Sequence, residues 1–216
     1  MKIYIIRHGE TELNKEGRLQ GWIDEPLNAL GVRLAEETGR ALGREGVHFD
    51  ACISSPLQRA VRTAEILLRE SGNTETPITT DDRLRELGMG VLDGKSIDPA
   101  AGEVDPGHLH FLFHDPWKMT APEGGEDTRQ VVERTQAFLR ELAALDDDRT
   151  YLVSMHGFAL RAMLNCLYED PQDFYHGHVP YNCVINIVES RNGQMKLVAD
   201  DRLYYDPSEA IDRYAV

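Results

Sequence analysis

Apolar positions along the chain fall into two repeating patterns. Short apolar runs broken by Gly, Ser-Pro or Asp read as buried strands: Lys2 to Ile6, Asp50 to Ser54 and Thr150 to Met155, with a possible edge strand over 76–80. Between them the spacing lengthens to three and four. Asn28 caps a predicted helix reaching about Arg44, with Leu30, Leu34, Thr38, Ala41 and Leu42 in one stripe. Gly31, Gly39 and Gly43 lower its intrinsic propensity. Ser55-Pro56 predicts the cap and first position of a helix to about Glu70. Asp127 to Gln130 is a capping box, and its helix should carry Val131, Thr135, Phe138, Leu139, Leu142 and Leu145 on one face. A further helix is expected over Phe158 to Tyr168. Two antiparallel strands, Cys183 to Glu189 and Met195 to Asp200, should then meet at an Asn192-Gly193 turn.

Regularity fails twice. Residues 12–27 are polar and punctuated by Gly17, Gly21 and Pro26, as expected of a long loop. Residues 87–125 are rich in Gly and Pro around the apolar patch His108 to His114, and read as an insertion covering a site rather than a separate domain. The order of elements predicts one α/β domain over 1–216. It should be a three-layer α/β/α sandwich with a mixed, mostly parallel sheet and an inserted lid over about 87–125.

Composition narrows the function. The 216 residues carry 37 acidic and 23 basic side chains, a net charge of −14 that disfavours nucleic acid and anionic lipid. Any phosphate site must be a local basic pocket. Cys52, Cys166 and Cys183 are odd in number and scattered, which suggests neither zinc nor a secreted disulfide framework. The chain begins in a strand with no signal-peptide pattern, and no apolar run approaches membrane length. A reduced, cytoplasmic protein is expected; composition leaves its oligomeric state open.

Three predicted strands end in chemically suggestive groups: Arg7-His8, Ser54-Ser55 leading to Arg59, and His156. At one edge of a parallel sheet these would converge where open α/β sheets bind ligands. A neutral histidine beside a guanidinium fork suits phosphate chemistry carried on the ring. The bland alternatives are a surface ion pair for Arg7-His8, a satisfied core histidine for His156, and ordinary surface charge for Arg83, Arg85 and Glu86.

Arg7-His8-Gly9-Glu10-Thr11 with Asn14, Ser55-Pro56-Leu57-Gln58-Arg59-Ala60, Leu84-Arg85-Glu86 before Gly88 and Gly90, and His156-Gly157 together resemble the histidine phosphatase superfamily, also called phosphoglycerate mutase-like. The resemblance runs from residue 2 to about 165. It implies His8 as the phosphorylated nucleophile and Arg7, Arg59 and His156 as the clamp on the phosphoryl oxygens. Asn14 is then a neutral donor and Glu86 the acid and base. Gln20-Gly21-Trp22 falls where the family's loop approaches substrate, so Gln20 and Gly21 are candidate contacts and Trp22 a packing anchor. No cofactor and no metal is expected. His108, His110 and His114 lack an acidic partner and read as part of an apolar lid.

Phosphatase and mutase both fit that resemblance. The 87–125 segment has only Lys95 and Lys118 as cations among six acids, is shorter than the insert typical of family mutases, and has Met89 where such mutases usually carry tyrosine. The expectation is a phosphomonoester hydrolase acting on a small phosphorylated metabolite. The alternatives are a cofactor-dependent phosphoglycerate mutase and a non-catalytic member that binds phosphorylated ligands.

Overall fold

In the computed structural model, which describes residues 1–211, six strands form one sheet in the order β3-β2-β4-β1-β5-β6. They are β1 (Lys2–Arg7), β2 (Ala51–Ser54), β3 (Ile78–Thr80), β4 (Thr150–Met155), β5 (Ile185–Arg191) and β6 (Gln194–Arg202). The first four run parallel; β5 pairs antiparallel with β1, and β6 with β5. Asn192 and Gly193 both take positive φ, 52° and 73°, as a tight two-residue hairpin between twisted strands requires. Of the domain expected over 1–216, positions 212–216 lie outside the described residues.

Alternation along β1 divides the core. Tyr4 and Ile6 pack with Leu34, Leu42, Ala64 and Leu67 from α2 (Ala29–Arg44) and α3 (Gln58–Glu70). Ile3 and Ile5 share the other cluster with Val131, Phe138 and Leu139 of α5 (Thr128–Ala143) and with Phe158 to Leu164 of α6 (Gly157–Leu164). Helices therefore cover both faces of a mixed sheet, as the strand pattern predicts. Residues 87–125 hold short 3₁₀ turns and α4 (Pro106–His114), and they bury Leu87, Met89, Leu109, Leu112 and Met119 in the α5–α6 core. No described helix is long and apolar enough to cross a membrane.

Four local expectations change. Within the predicted 12–27 loop, α1 (Glu12–Lys15) forms behind a Thr11–Asn14 capping box, one turn too short for periodicity to reveal. Helix α3 starts at Gln58 with Leu57 as its cap residue; Ser55 Oγ accepts from Leu57 N–H at 3.4 Å, but its close partner is His156 Nε2 at 2.7 Å. Helix α5 ends at Ala143, which leaves Leu145 59% exposed instead of on the buried face. Helix α6 ends at Leu164 and gives way to a 3₁₀ turn over Asn165–Leu167.

Candidate active site

Register alone assembles the centre of the site. Strand β4 lies between β2 and β1, with Ser154 opposite both Ser54 and Ile6, and Met155 opposite Arg7. The next residues along the three strands are Ser55, His156 and His8, which leave the sheet side by side. The His8 and His156 rings meet edge to face at 5.1 Å. Gly9 follows His8 in close backbone contact with α2: a Cβ there would lie 2.5 Å from the Gly31 carbonyl.

The tautomers follow from the partners. His8 Nδ1 is 2.7 Å from the Gly9 carbonyl, which can only accept, so the proton sits on Nδ1 and Nε2 keeps its lone pair. Arg59, fully buried in the first turn of α3, shares its Nε–H between His8 Nε2 at 3.3 Å and His156 Nδ1 at 3.2 Å. His156 Nε2–H then donates to Ser55 Oγ at 2.7 Å. The rest of the Arg59 fork holds the 20–27 loop by donating to the Ile23 and Gly21 carbonyls at 2.7 and 2.8 Å. In the same turn Gln58 N–H donates to the Asp24 carboxylate at 2.7 Å.

Burial first, then the Arg59 and Arg7 charges, hold His8 well below the usual histidine range, against the opposing bond to Gly9. His156 is likewise held well below it by burial, Arg59 and His8. Both rings are neutral near pH 7. His156 therefore enters the expected clamp as a neutral hydrogen-bonding group and not as a cation. Arg7, also buried, donates through Nη1 to the Pro180 carbonyl.

Glu86 sits at the start of α6. Its carboxylate accepts from the first amides of that helix, Phe158 N–H at 3.2 Å and Ala159 N–H at 2.9 Å, and from Leu87 N–H at 2.8 Å. Helix N-termini leave such donors unpaired and favour a negative charge. Its carbonyl accepts from Trp22 Nε1 at 2.9 Å and Arg134 Nη2 at 2.9 Å, so residue 86 is held from both ends.

A cavity of about 50 Å³ opens beside His8. Its polar lining is Arg7, His8, Asn14, Gln20 and Glu86; Leu19, Met89, Leu112, Phe113, Phe158, Tyr175 and Val179 make an apolar wall. The structure thus brings Arg7, His8, Asn14, Gln20 and Glu86 to one cavity. Arg59 and His156 touch His8 without lining it. Gly21 stands outside: its carbonyl holds Arg59, and its amide donates to Asp93. Trp22, expected as a packing anchor, is 43% exposed, with the Arg85 guanidinium 5.6 Å above its ring. Among the described residues no group of three or more His, Cys, Asp or Glu is placed to hold a metal ion, the His108–His114 helix included.

Several contributors have no signal in the sequence. Asp93 accepts the amides of Gly21, Trp22 and Ile23 and so shapes the loop. Arg134 reads as an exposed helix residue, yet it gathers the carbonyls of Arg83, Arg85 and Glu86. Tyr175 Oη donates to the Leu112 carbonyl at 2.8 Å and ties the 171–182 segment to α4. Asn182 donates to the His8 carbonyl at 2.9 Å from across the sheet. Each acts through a contact between segments far apart in the chain.

Comparison with known proteins gives one pattern. The family model described as histidine phosphatase superfamily (branch 1) matches residues 3–200. A 2,3-bisphosphoglycerate-dependent phosphoglycerate mutase of Methylobacterium sp. (strain 4-46) is 33% identical over 76% of this chain and 79% of its own. Among solved structures, Bacillus stearothermophilus YhfR superposes with a TM-score of 0.81 at 29% identity, covering 94% of this chain and 97% of that one. A mycobacterial glucosyl-3-phosphoglycerate phosphatase in complex with VO3 superposes with a TM-score of 0.77 at 25% identity, covering 93% and 98%.

Proposed function

Because this chain belongs to the histidine phosphatase superfamily, we propose that it is a cytoplasmic phosphomonoester hydrolase that works through a phosphohistidine at His8. One observation carries the choice of hydrolase over mutase. Among the described residues the cavity lining contains no basic residue beyond Arg7 and His8, and the rest is apolar apart from Asn14, Gln20 and Glu86. A doubly phosphorylated intermediate needs a second set of cations while it reorients; here its second phosphate would face Glu86 and the apolar wall. A singly phosphorylated metabolite with an apolar part fits the same surface.

In this reading the neutral His8 Nε2 attacks phosphorus in line with the ester oxygen, displacing the Arg59 N–H that shares its lone pair. The P–N bond forms as the P–O bond breaks, and Glu86, which takes up a proton as the anionic substrate binds beside it, passes that proton to the departing alkoxide. Arg7 and Arg59 balance charge on the equatorial oxygens, Asn14 and Gln20 add hydrogen bonds, and neutral His156, bonded to Ser55 Oγ, holds Arg59 through its Nδ1. Glu86 then takes a proton from water, which attacks phosphorus, expels His8 Nε2 and restores its lone pair. Residues 87–125, through Met89, Leu112 and Phe113, act as the lid that limits water.

A panel of phosphomonoesters assayed beside phosphoglycerate mutase activity tests the reading, with rapid-quench labelling to find the phosphate. Hydrolysis without mutase turnover and acid-labile label on His8 are expected, and His8→Ala should abolish both. Label on Ser54 or Ser55, or mutase turnover exceeding hydrolysis, would overturn it. The mutase reading keeps a specific basis in the Methylobacterium relative, which is why both activities belong in one assay.

A further inference from the structure

Beside the catalytic centre, three side-chain amides form a line whose direction backbone groups dictate. The His8 carbonyl can only accept, so the Asn182 group 2.9 Å from it must be Nδ2. The same Nδ2 reaches Asn14 Oδ1 at 3.4 Å, and the Thr11 backbone N–H, which can only donate, points at that oxygen too. Asn14 must therefore turn its Nδ2 to the next group, Gln20 Oε1, at 3.3 Å. Thr11 Oγ1 already accepts from Asn14 N–H, so its own proton goes to Gln20 Oε1 at 2.9 Å. Gln20 Nε2 is left with no partner among the described residues, in a side chain only 7% exposed that lines the cavity.

We propose that Asn182 is a positioning residue: it sets the polarity of the Asn182–Asn14–Gln20 line so that Gln20 presents a donor, and not an oxygen, to the phosphoryl group. The inference rests on the reading of the cavity as a phosphomonoester site. Asn182 is itself well anchored. Its carbonyl accepts from buried Tyr205 Oη at 2.7 Å, and the next residue, Cys183, donates its backbone N–H to the Arg7 carbonyl at 3.0 Å. The line has a physical rationale in an acidic protein. A neutral amide that could turn over would offer an anion an acceptor half of the time, whereas a line set by the His8 carbonyl at one end and the Thr11 N–H at its middle offers only the donor. A hydrogen bond to a charged partner is worth about 1.5–3 kcal/mol, so polarity at one amide matters about tenfold to a hundredfold in binding.

Substitution Asn182→Asp keeps the shape and removes the donor. Asn14 then gains more by turning its Nδ2 to the new carboxylate than it loses at the 3.4 Å bond from Thr11 N–H, Gln20 follows, and its oxygen faces the cavity. The experiment measures orthovanadate affinity by calorimetry, with kcat and KM for phenyl phosphate, in Gln20→Met, Asn182→Asp and the double variant. In an otherwise wild-type chain Gln20→Met should weaken vanadate about tenfold to a hundredfold by removing a donor. In the Asn182→Asp background the same change should strengthen it, because it now removes an oxygen aimed at an anion. That reversal of sign is what a merely structural role would not produce. If Asn182→Asp does not fold, judged by its thermal midpoint, Asn14→Asp reverses the last link and should show the same reversal. Weakening by Gln20→Met in both backgrounds overturns the proposal. Reversal in a protein that binds vanadate but hydrolyses no monoester supports the line and overturns the hydrolase reading; a wild type that does not bind vanadate overturns both.

Discussion

Two neutral histidines buried against two arginines make stability depend on pH in a direction that can be worked out. In the folded chain His8 and His156 titrate well below the usual range, first through burial and then through neighbouring positive charge. In the unfolded chain both take the ordinary value, about 6.5. Above that pH both states are neutral and the native fold is not penalised. Below it the unfolded chain binds protons that the native site refuses, so stability falls with falling pH until the native values are reached. Between pH 6.5 and 5.5 the loss is about 1 kcal/mol per histidine, about 2 for the pair.

Urea unfolding at pH 7.5, 6.5 and 5.5 reads this directly, provided that carboxylates and the other histidines are cancelled by comparison. The stability difference between wild type and His8→Gln should shrink by about 1 kcal/mol from pH 6.5 to 5.5, because only the wild type loses that share. His156→Gln should behave alike. Imidazole resonances should show both rings uncharged throughout that interval. The hydrolysis rate should accordingly hold across it, since the nucleophile keeps its lone pair. A difference between wild type and His8→Gln that does not change with pH would refute the reasoning, for it would mean that the folded site accepts the proton after all.

Two further outcomes test the assigned roles. Glu86→Gln should slow phosphorylation of His8 by an alkyl phosphate about a hundredfold to ten-thousandfold, and by nitrophenyl phosphate far less, since nitrophenolate leaves without a proton; single-turnover quench measures both, and equal slowing would make Glu86 a positioning residue. Prolonged treatment with a chelator should leave the rate unchanged, because Arg7 and Arg59 already oppose the phosphoryl charge; activity lost to the chelator and restored by zinc or magnesium would bring the α4 histidines back into the argument.

What the sequence discloses here follows the range of the interaction concerned. Asn28 at the head of α2, the Asp127–Gln130 box and the Asn192-Gly193 hairpin turn are local devices, and each sits where its residues predict. The meeting of His8, Ser55 and His156 is also legible, because parallel strands with matching register bring like ends together. Ser55 shows where local reasoning stops. Ser before Pro is a good cap in isolation, and Ser55 Oγ does face Leu57 N–H at 3.4 Å, but the buried His156 N–H takes it at 2.7 Å and the helix begins two residues later. Asn182 and Arg134 lie further beyond reach, since their partners are carbonyls 174 and 48 positions away.

Gly31 separates the two kinds of reasoning in a single substitution. As a helix residue it is a weakness, and replacing glycine by alanine in an exposed helix interior is worth about 1 kcal/mol in the stabilising direction. In the fold it is the point where α2 touches the loop that follows His8: a Cβ would lie 2.2 Å from the Glu10 carbonyl oxygen and 2.5 Å from its nitrogen. Both are backbone atoms that cannot rotate away. Gly31→Ala should therefore destabilise, since overpacking at such a contact costs about 1–3 kcal/mol and outweighs the propensity gain. It should also lower kcat/KM, because Glu10 lies two residues from His8 and moves with it. Gly43→Ala serves as the comparison: its nearest neighbours stand at 3.1–3.4 Å at the far end of the same helix. There the propensity gain and a small adjustment should nearly cancel, with kcat/KM unchanged. Chemical denaturation and steady-state kinetics on both variants distinguish the cases, and a Gly31→Ala protein that is stabilised or retains full kcat/KM would show that α2 does not brace the catalytic loop.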